Sequence, residues 1–369
     1  MTVIHLFASL GDKNKIAYGG GETSARRIVQ VLNKMGYVVS VVSRTRPSFT
    51  SKSFYSTIYK IVSYIIDPIR WLFHLLFKKR NNAISLVICY AGVLFPFYFL
   101  VLKISKILKF KTLLYIKGAF TEEKYSSLSQ FLKRTYTNGL SYSDIVMYEG
   151  LDGKNISERV RPDVQAVWFP NFIEISFMPS SVVQRTDERI NLMYFGRLDP
   201  GKNIIMIIEI FELLCKNFDN LFLSIIGSGE MKYTSEVMER ISSSPNRDRI
   251  ERMQRIEHDE LKKFLPKQHF FIFPTESEGH SNSLTEAMAY GVIPIASRRG
   301  FNATVIGDDR LIVDEMHADA YVKTISDIIT KKEGSVLSQL MYERVKIHFT
   351  QEIAEKILEE NISRLSRKD

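Results

Sequence analysis

The chain has 369 residues, 45% of them hydrophobic and 25% charged, a balance typical of folded globular proteins that excludes a disordered or fibrous chain. Its length exceeds what one hydrophobic core usually supports, so two domains are expected. Residues 1–170 contain 24 basic and 10 acidic side chains, a balance of +14, whereas residues 171–369 contain 26 basic and 31 acidic ones.

The first elements along the chain alternate between strand and helix. Residues 3–9 are apolar and follow no basic leader, which predicts a first strand and no signal peptide. The sequence Gly19-Gly20-Gly21-Glu22 then opens a predicted helix, and residues 37–43 form a β-branched second strand. A strand, a glycine turn, a helix and a second strand are typical of a doubly wound α/β sheet.

Residues 54–80 combine seven aromatic side chains with cations, including the run Lys78-Lys79-Arg80. A membrane-spanning helix needs about 20 consecutive apolar residues. Asp67, Pro68 and Arg70 interrupt this stretch, so a span is not expected. Two interpretations stay open: an amphipathic helix packed on its own domain, or a helix that contacts a membrane surface.

The remaining pattern repeats the alternation twice. Before the linker, the predicted elements are a strand at 86–91, an apolar helix to 104, a strand at 112–116, a helix at 129–138 and a strand at 144–148. A polar linker is predicted at 179–188. After it we predict strands at 190–195, 221–226, 270–273 and 292–296, helices at 204–214 and 283–290, and a last helix at 351–365. We predict an α/β protein with two Rossmann-like domains that face a cleft. They are residues 1–172 and 173–350, and the last helix, about 351–369, crosses back to the N-terminal domain.

The most specific motif spans a predicted strand-to-helix turn, where residues 274–291 read PTESEGHSNSLTEAMAYG. The turn at a helix N-terminus presents backbone N–H groups and the positive end of the helix dipole, which suit a diphosphate. Carboxylates accept hydrogen bonds from sugar hydroxyls. Glu278, on the loop, could reach a transferred sugar, and Glu286, expected in the first helical turn, could reach a ribose.

This segment resembles the E-x7-E signature of the retaining family 4 glycosyltransferases, also called glycosyl transferases group 1, which have the GT-B fold. The resemblance implies that Glu278 contacts the donor sugar and Glu286 the nucleotide ribose. Residues 196–203, GRLDPGKN, are similar to a family segment in which Arg and Lys hold the donor diphosphate, which assigns Arg197 and Lys202. Preplaced cations there stabilise the charge that builds on the leaving diphosphate.

The resemblance also implies a set of donor-binding residues around these three catalytic candidates. The set comprises Gly20, Gly21, Gly196, Gly227, Gly279, His280, Ser281, Asn282, Ser283, Leu284 and Glu286. Structural explanations stay open, since acidic residues at helix starts and glycines in tight turns also occur without a ligand. No Asp-x-Asp with apolar flanks occurs, so we predict neither a metal ion nor a cofactor besides the UDP- or GDP-linked donor.

The sequence departs from the family pattern at three places. Many members carry a His after the strand at 113–116, where this chain reads Lys117-Gly118-Ala119, and we interpret Lys117 as a structural or acceptor-side charge. His280 stands where an aromatic or aliphatic residue is usual, and Thr304 where a Glu is common. The chemistry on the N-terminal side of the site is therefore left open.

The resemblance implies a retaining hexosyltransferase that acts in cell-surface polysaccharide biosynthesis, such as lipopolysaccharide or capsule. The C-terminal domain would bind the nucleotide sugar, and the basic N-terminal domain a glycan or polyprenyl diphosphate-linked acceptor at an anionic membrane. The only cysteines, Cys89 and Cys215, form no CxxC and lack metal-ligand spacing, so neither a disulfide framework nor a structural zinc is expected. This favours a reducing, cytoplasmic setting at the inner membrane face.

Three alternatives remain beside this prediction. Another enzyme of the same fold, such as a nucleotide-sugar 2-epimerase or a phosphorylase, would use a similar donor site. A non-catalytic module that binds sugar nucleotides would need the same cleft. Nucleic-acid binding is disfavoured because the basic half lacks a nucleic-acid motif.

Overall fold

The computed structural model describes residues 2–11, 20–44, 54–78, 82–185 and 188–367. The chain divides into two compact units: Met1–Asn171 with Glu352–Asp369, and Phe172–Gln351. Four parts of the sequence predictions lie outside the described residues, namely Gly19, the pair Lys79-Arg80, residues 186–187 of the linker and residues 368–369 of the last helix.

The first unit is a six-stranded parallel sheet with helices between its strands. Its strands are β1 (Val3–Ala8), β2 (Val38–Ser43), β3 (Ala83–Tyr90), β4 (Lys111–Lys117), β5 (Ile145–Tyr148) and β6 (Gln165–Trp168), in the order β2-β1-β3-β4-β5-β6. Its helices are α1 (Gly20–Lys34), α2 (Phe54–Leu76), α3 (Phe95–Ile107), α4 (Glu122–Ser127), α5 (Gln130–Leu140) and α6 (Leu151–Val160). Strand β3 is buried along nearly its whole length, as expected for a central strand covered on both faces.

The second unit repeats this architecture. Its strands are β7 (Ile190–Phe195), β8 (Leu221–Ile226), β9 (Ile250–Met253), β10 (Phe270–Phe273), β11 (Ile293–Ser297) and β12 (Ile312–Val313), in the order β12-β11-β10-β7-β8-β9. Its helices are α7 (Ile204–Leu214), α8 (Met231–Ser242), α9 (His258–Phe264), α10 (Asn282–Ala289), α11 (Asn302–Ile306), α12 (Ala318–Thr330) and α13 (Gly334–His348). The pairings between these strands are parallel, which confirms the predicted α/β class.

The last helix, α14 (Gln351–Ser366), packs with the first unit, as predicted. Lys34 of α1 donates to Glu355 at 2.9 Å, and the Gln165 amide of β6 donates to Asn361 at 3.4 Å. Because both contacts reach elements of the first unit, the chain returns to this unit after it completes the second one.

Helix α2 confirms that residues 54–76 are helical, and it continues through Pro68 without a break. Among the described residues, no helix is both long enough and apolar enough to cross a membrane. The helix places Trp71 and Leu75 in the core of the first unit, where neither side chain is exposed.

Candidate functional site

Two loops of the second unit are joined at the carboxyl ends of neighbouring strands β7 and β10. The Asn203 side-chain amide donates to the Pro274 carbonyl at 2.8 Å, and the Glu276 backbone N–H donates to the Gly201 carbonyl at 2.9 Å. Asn203 adopts a left-handed conformation with φ of 52°, which turns the chain into α7. In parallel α/β sheets, ligands bind at the carboxyl ends of strands. The two most specific sequence motifs therefore meet at this edge.

The contact between the two motifs includes an ion pair. Lys202 Nζ donates to the Glu278 carboxylate and lies 3.3 Å from Thr275 Oγ1. The same ammonium lies 5.4 Å from the ring centroid of Phe273, within cation–π range. Both partners are mostly buried, so the ammonium and carboxylate hold each other in a defined position. No feature of the sequence pattern pointed to the part that Thr275 plays.

Arg197 lies on the loop after β7 and remains well exposed. Its Nε donates to Asp199 Oδ2 at 2.7 Å, and this hydrogen bond raises the pKa of the guanidinium above its usual value. Asp199 was not among the predicted site residues, although it stands only two positions after Arg197. A cation kept in place by a neighbouring carboxylate, with much of its surface open to solvent, is suited to bind an anionic ligand.

The glycines after β7 and β8 have a structural reason to be there. Gly227 has φ of +154°, and a Cβ at this position would lie 1.8 Å from the Gly196 carbonyl oxygen. A Cβ on Gly229 would lie equally close to the Leu198 carbonyl oxygen. The two loops therefore run in backbone contact, and this close approach explains Gly227 without a ligand. The predicted donor contacts of Gly196 and Gly227 stay predictions.

A third loop supports the backbone of Glu278. Gly300, with φ of +59°, follows β11, and a Cβ there would lie 1.7 Å from the Glu278 carbonyl oxygen. Only glycine fits this conformation and this gap without displacing the loop. The position of Glu278 is thus fixed from its side chain by Lys202 and from its backbone by Gly300.

The N-terminus of α10 follows Gly279 and His280. The Ser281 hydroxyl caps the helix by accepting from the Leu284 N–H, and it also lies 3.0 Å from the Ser283 hydroxyl. The other amides of the first turn, beginning at Asn282, have no partner within the helix and are available to an anion.

The position of Glu286 in α10 differs from the expected one. Because α10 begins at Asn282, Glu286 occupies the fifth helical position and lies in the second turn, not the first. Its side chain is 7% exposed, and one carboxylate oxygen lies 3.9 Å from His258 Nε2. His258, on α9, was not predicted as a site residue. The His258 imidazole thus lies beside the carboxylate that the family resemblance assigns to the ribose.

His280 and Thr304 occupy packed positions in the second unit. The His280 ring is buried, with Nε2 2.7 Å from the Thr285 hydroxyl and its edge against Phe349. The Thr304 carbonyl in α11 accepts from Arg344 at 2.7 Å. Local packing therefore accommodates His280, whereas Thr304 is half-buried and meets Arg344 through its backbone.

The predicted residues of the first unit form a separate group. Gly20 and Gly21 begin α1, and a Cβ on Gly21 would lie 2.6 Å from the Tyr90 hydroxyl. Their contact with donor phosphates stays a prediction, as does the assignment of acceptor and donor to the two units. The part of the chain that the structure describes contains no group of three or more His, Cys, Asp or Glu side chains placed to hold a metal ion.

Lys117 is the centre of a buried polar network at the end of β4. Its ammonium contacts Glu149 at 2.7 Å, Asn171 at 2.7 Å and the Ser24 hydroxyl at 2.9 Å. Glu149 also accepts from the Gly118 N–H at 2.6 Å. The network holds the turn after β4 in place, which favours the structural interpretation of Lys117.

Comparison with known proteins agrees with this architecture. Residues 180–343 match the family model of the glycosyl transferases group 1. The chain is 25% identical over 162 residues to a component of the phosphatidylinositol N-acetylglucosaminyltransferase of Arabidopsis thaliana, covering 44% of this chain and 36% of that protein. It is 23% identical over 183 residues to GDP-mannose:cellobiosyl-diphosphopolyprenol alpha-mannosyltransferase of Xanthomonas oryzae, covering 49% and 47%.

A solved structure extends the likeness to the whole chain. HepE of Anabaena, in complex with UDP, superposes with a TM-score of 0.70 at 12% identity, covering 99% of this chain and 100% of that one. At this identity the match establishes the fold, which is GT-B. The matched segments span less than half the length of the two curated relatives.

Proposed function

We propose that this chain, whose residues 180–343 match the family model of the glycosyl transferases group 1, transfers a sugar from a nucleotide diphosphate donor to a glycan or lipid-linked acceptor. The observation that carries this proposal is the joining of the two motifs. Lys202 and Glu278 come from loops after different strands and contact each other at one sheet edge. Cations, a carboxylate and a helix N-terminus at one place are what a sugar diphosphate requires.

The proposed chemistry assigns a separate task to each charged side chain. The bond between the anomeric carbon and the phosphate oxygen breaks, and its electron pair goes to the leaving diphosphate. The hydroxyl oxygen of the acceptor forms the new bond to the anomeric carbon, and its proton passes to the leaving diphosphate. Arg197 and Lys202 stabilise that charge, and the first turn of α10 adds backbone N–H groups. Glu278 accepts hydrogen bonds from the sugar, and Glu286 from the ribose of the nucleotide.

Three finer features belong to the proposal through the family resemblance. The sugar is a hexose, and transfer retains the configuration at the anomeric carbon without a side-chain nucleophile. The donor is UDP- or GDP-linked and is used without a metal ion or further cofactor, because cationic side chains take the place of the ion. The HepE structure contains UDP, and the Xanthomonas relative is named for GDP-mannose, which supports a nucleotide diphosphate donor.

The acceptor is proposed to be membrane-borne, in a cell-surface polysaccharide pathway such as lipopolysaccharide or capsule. The names of two relatives include a lipid, phosphatidylinositol in one and diphosphopolyprenol in the other. Residues 1–170 have a charge balance of +14, which suits a phosphorylated lipid and peripheral attachment to an anionic inner membrane face from the cytoplasm. Nucleic acid is not part of the proposal.

A product assay tests the proposed function. The purified protein is incubated with UDP- and GDP-sugars, with and without a polyprenyl diphosphate-linked glycan, and the products are separated and their anomeric configuration is read by NMR. We expect nucleotide diphosphate release that depends on the acceptor. Conversion of the donor without an acceptor would indicate a 2-epimerase. Release of a sugar 1-phosphate from the glycan on addition of inorganic phosphate would indicate a phosphorylase, and donor binding without turnover would indicate a binding module. Each of these outcomes contradicts the proposal.

A further inference from the structure

Helix α2 turns a row of apolar side chains away from its own unit. These side chains, which we call the α2 stripe and which include Phe77 just after the helix, are each between 40% and 81% exposed: Val62, Ile65, Ile66, Ile69, Phe73, Leu76 and Phe77. Their spacing of three or four positions places them on one face of the helix. Over residues 62–77 the face is roughly 24 Å long, at about 1.5 Å per residue.

The opposite face of α2 is buried even though part of it is polar. Ser63, Asp67 and Trp71 recur every four positions, and each is at most 3% exposed. A surface helix with no other partner normally turns its apolar residues toward the core and its polar ones toward water. Here the arrangement is reversed along Val62–Ile69.

Specific contacts inside the unit fix this orientation of the helix. The Trp71 indole N–H donates to the Ser105 hydroxyl of α3 at 2.9 Å, and the indole packs edge-to-face against Phe7 of β1 with ring centroids 5.6 Å apart. His74 Nε2 lies 3.2 Å from His5 Nδ1 of β1. Rotating α2 to bury the stripe would break the contacts of Trp71. Among the described residues of the unit, none covers the stripe. Large exposed apolar patches mark interaction sites.

Cations border the α2 stripe. A groove of about 560 Å³ runs between α2 and strand β2, and its lining includes Ile66, Ile69, Arg70, Phe73, Phe77 and Lys78. Arg70 and Lys78 are exposed at its edge. An apolar floor beside exposed cations, within a region whose charge balance is +14, is complementary to lipids that have acyl chains and anionic headgroups.

We propose that the α2 stripe inserts into one leaflet of an anionic bilayer, with Arg70 and Lys78 at the level of the lipid phosphates. An amphipathic helix that lies in the interface buries its apolar face by roughly 5–10 Å. This inference deepens the proposed function, because electrostatic attraction alone would hold the protein above the headgroups, whereas insertion fixes which face of the first unit meets a membrane-borne acceptor.

A second copy of the chain is the main alternative occupant of this face. In a two-fold symmetric dimer, the same patch is present on both sides. Arg70 and Lys78 would then approach their own equivalents within a strongly basic region, and such like-charge juxtaposition opposes association. The charge pattern thus favours anionic lipid over self-association.

Vesicle binding by matched variants tests the insertion. The full chain is sedimented with phosphatidylcholine vesicles that contain or lack phosphatidylglycerol, without any donor. The variant Ile65→Gln/Phe73→Gln removes two stripe residues, and Val336→Gln/Ile347→Gln removes two similarly exposed residues of α13 as the control. We expect the stripe variant to lose about tenfold to a hundredfold in partition coefficient. The control variant should partition like the native chain.

Three outcomes would overturn the insertion. The first is equal partitioning of the stripe variant and the native chain. The second is complete loss of native vesicle binding at about 1 M salt, because charges are then screened within about 3 Å. The third is conversion of a dimer to a monomer by the stripe variant with unchanged vesicle binding. A Phe77→Trp variant gives an independent measurement, because its fluorescence should be quenched by brominated lipid more than that of the native chain. Equal quenching would also contradict insertion.

Failure of this inference and failure of the proposed function can be told apart. The stripe variant should still release nucleotide diphosphate with a short-chain, water-soluble analogue of the acceptor at the native rate. Loss of vesicle binding with turnover intact supports the role of the stripe, whereas absence of turnover in the native chain contradicts only the proposed function.

Discussion

Lys202 and Glu278 are 76 positions apart in the sequence, yet the Lys202 ammonium donates directly to the Glu278 carboxylate. Opposite charges in direct contact should act as a unit once a donor is bound. We expect Lys202→Ala and Glu278→Ala each to lower kcat/KM by about 10²–10³. The double variant should lose far less than the product of the two single losses.

Steady-state kinetics of the four proteins checks this coupling. Glu276→Ala, in the same loop but exposed, and Lys216→Ala, an exposed residue that follows α7, serve as controls and should stay within about twofold of the native chain. Near-native turnover of either single variant would refute the assigned roles. Losses that multiply in the double variant would show that the two residues act independently.

Arg197 should contribute to the leaving-group charge without contributing to the fold. Its side chain is well exposed and bonded to Asp199, so Arg197→Ala removes little packing. We expect a fall of about 10²–10³ in kcat and a thermal unfolding midpoint within a few degrees of the native value. A variant that keeps its kcat and raises only KM would indicate that Arg197 binds the donor equally well before and during bond breaking.

The close approach of two loops predicts strong destabilisation by a single methyl group. Gly227→Ala would place its Cβ against the Gly196 carbonyl, in a backbone conformation that suits only glycine. We expect a cost of about 2–5 kcal/mol, seen as a lower thermal unfolding midpoint. Gly334→Ala is the control, since no atom lies within 4 Å of its added Cβ, and it should be neutral or slightly stabilising. Equal midpoints for both variants would contradict the contact.

The sequence predicts features that depend on neighbouring residues better than features that depend on contacts between residues far apart in the chain. Strands β7, β8 and β10 and helix α7 have the bounds that their apolar runs predicted, because local hydrophobic pattern determines them. Glu286 was expected in the first turn of a helix that starts at residue 283, but α10 starts one residue earlier, which puts Glu286 at the fifth helical position. The spacing of α2 showed an amphipathic helix, but it could not show which face is buried. That choice depends on Ser105, which is distant in sequence.

The buried ion pair of Lys117 and Glu149 also joins residues that are distant in the sequence. The neighbouring strands β4 and β5 bring both side chains together, and each side chain is at most 5% exposed. Removing one partner of a buried ion pair leaves an uncompensated charge. Lys117→Met should therefore destabilise the first unit by about 3–5 kcal/mol.

A second substitution distinguishes ion pairing from lost volume at this position. Lys117→Met/Glu149→Gln should recover part of the stability, because no unpaired carboxylate remains. Lys154→Ala, which removes an exposed pair with Glu158, should cost no more than about 0.5 kcal/mol. Thermal unfolding measures all three. If the double variant were no more stable than Lys117→Met alone, pairing with Glu149 would not be the reason for the loss.

His74 gives the first unit a dependence on pH. Burial, and then the nearby His5 and Lys78, lower the pKa of His74 to about 4. The unfolded chain, with an ordinary His pKa of about 6.5, therefore binds more protons than the folded chain between these values. Stability from the neutral ring is fully present above pH ~6.5 and is lost as pH falls toward about 4. Unfolding midpoints across this range should thus decline as the pH falls, and His74→Phe should flatten the decline. An unaltered pH profile in His74→Phe would show that other groups control acid unfolding, and that the ring between Trp71 and His5 contributes by packing alone.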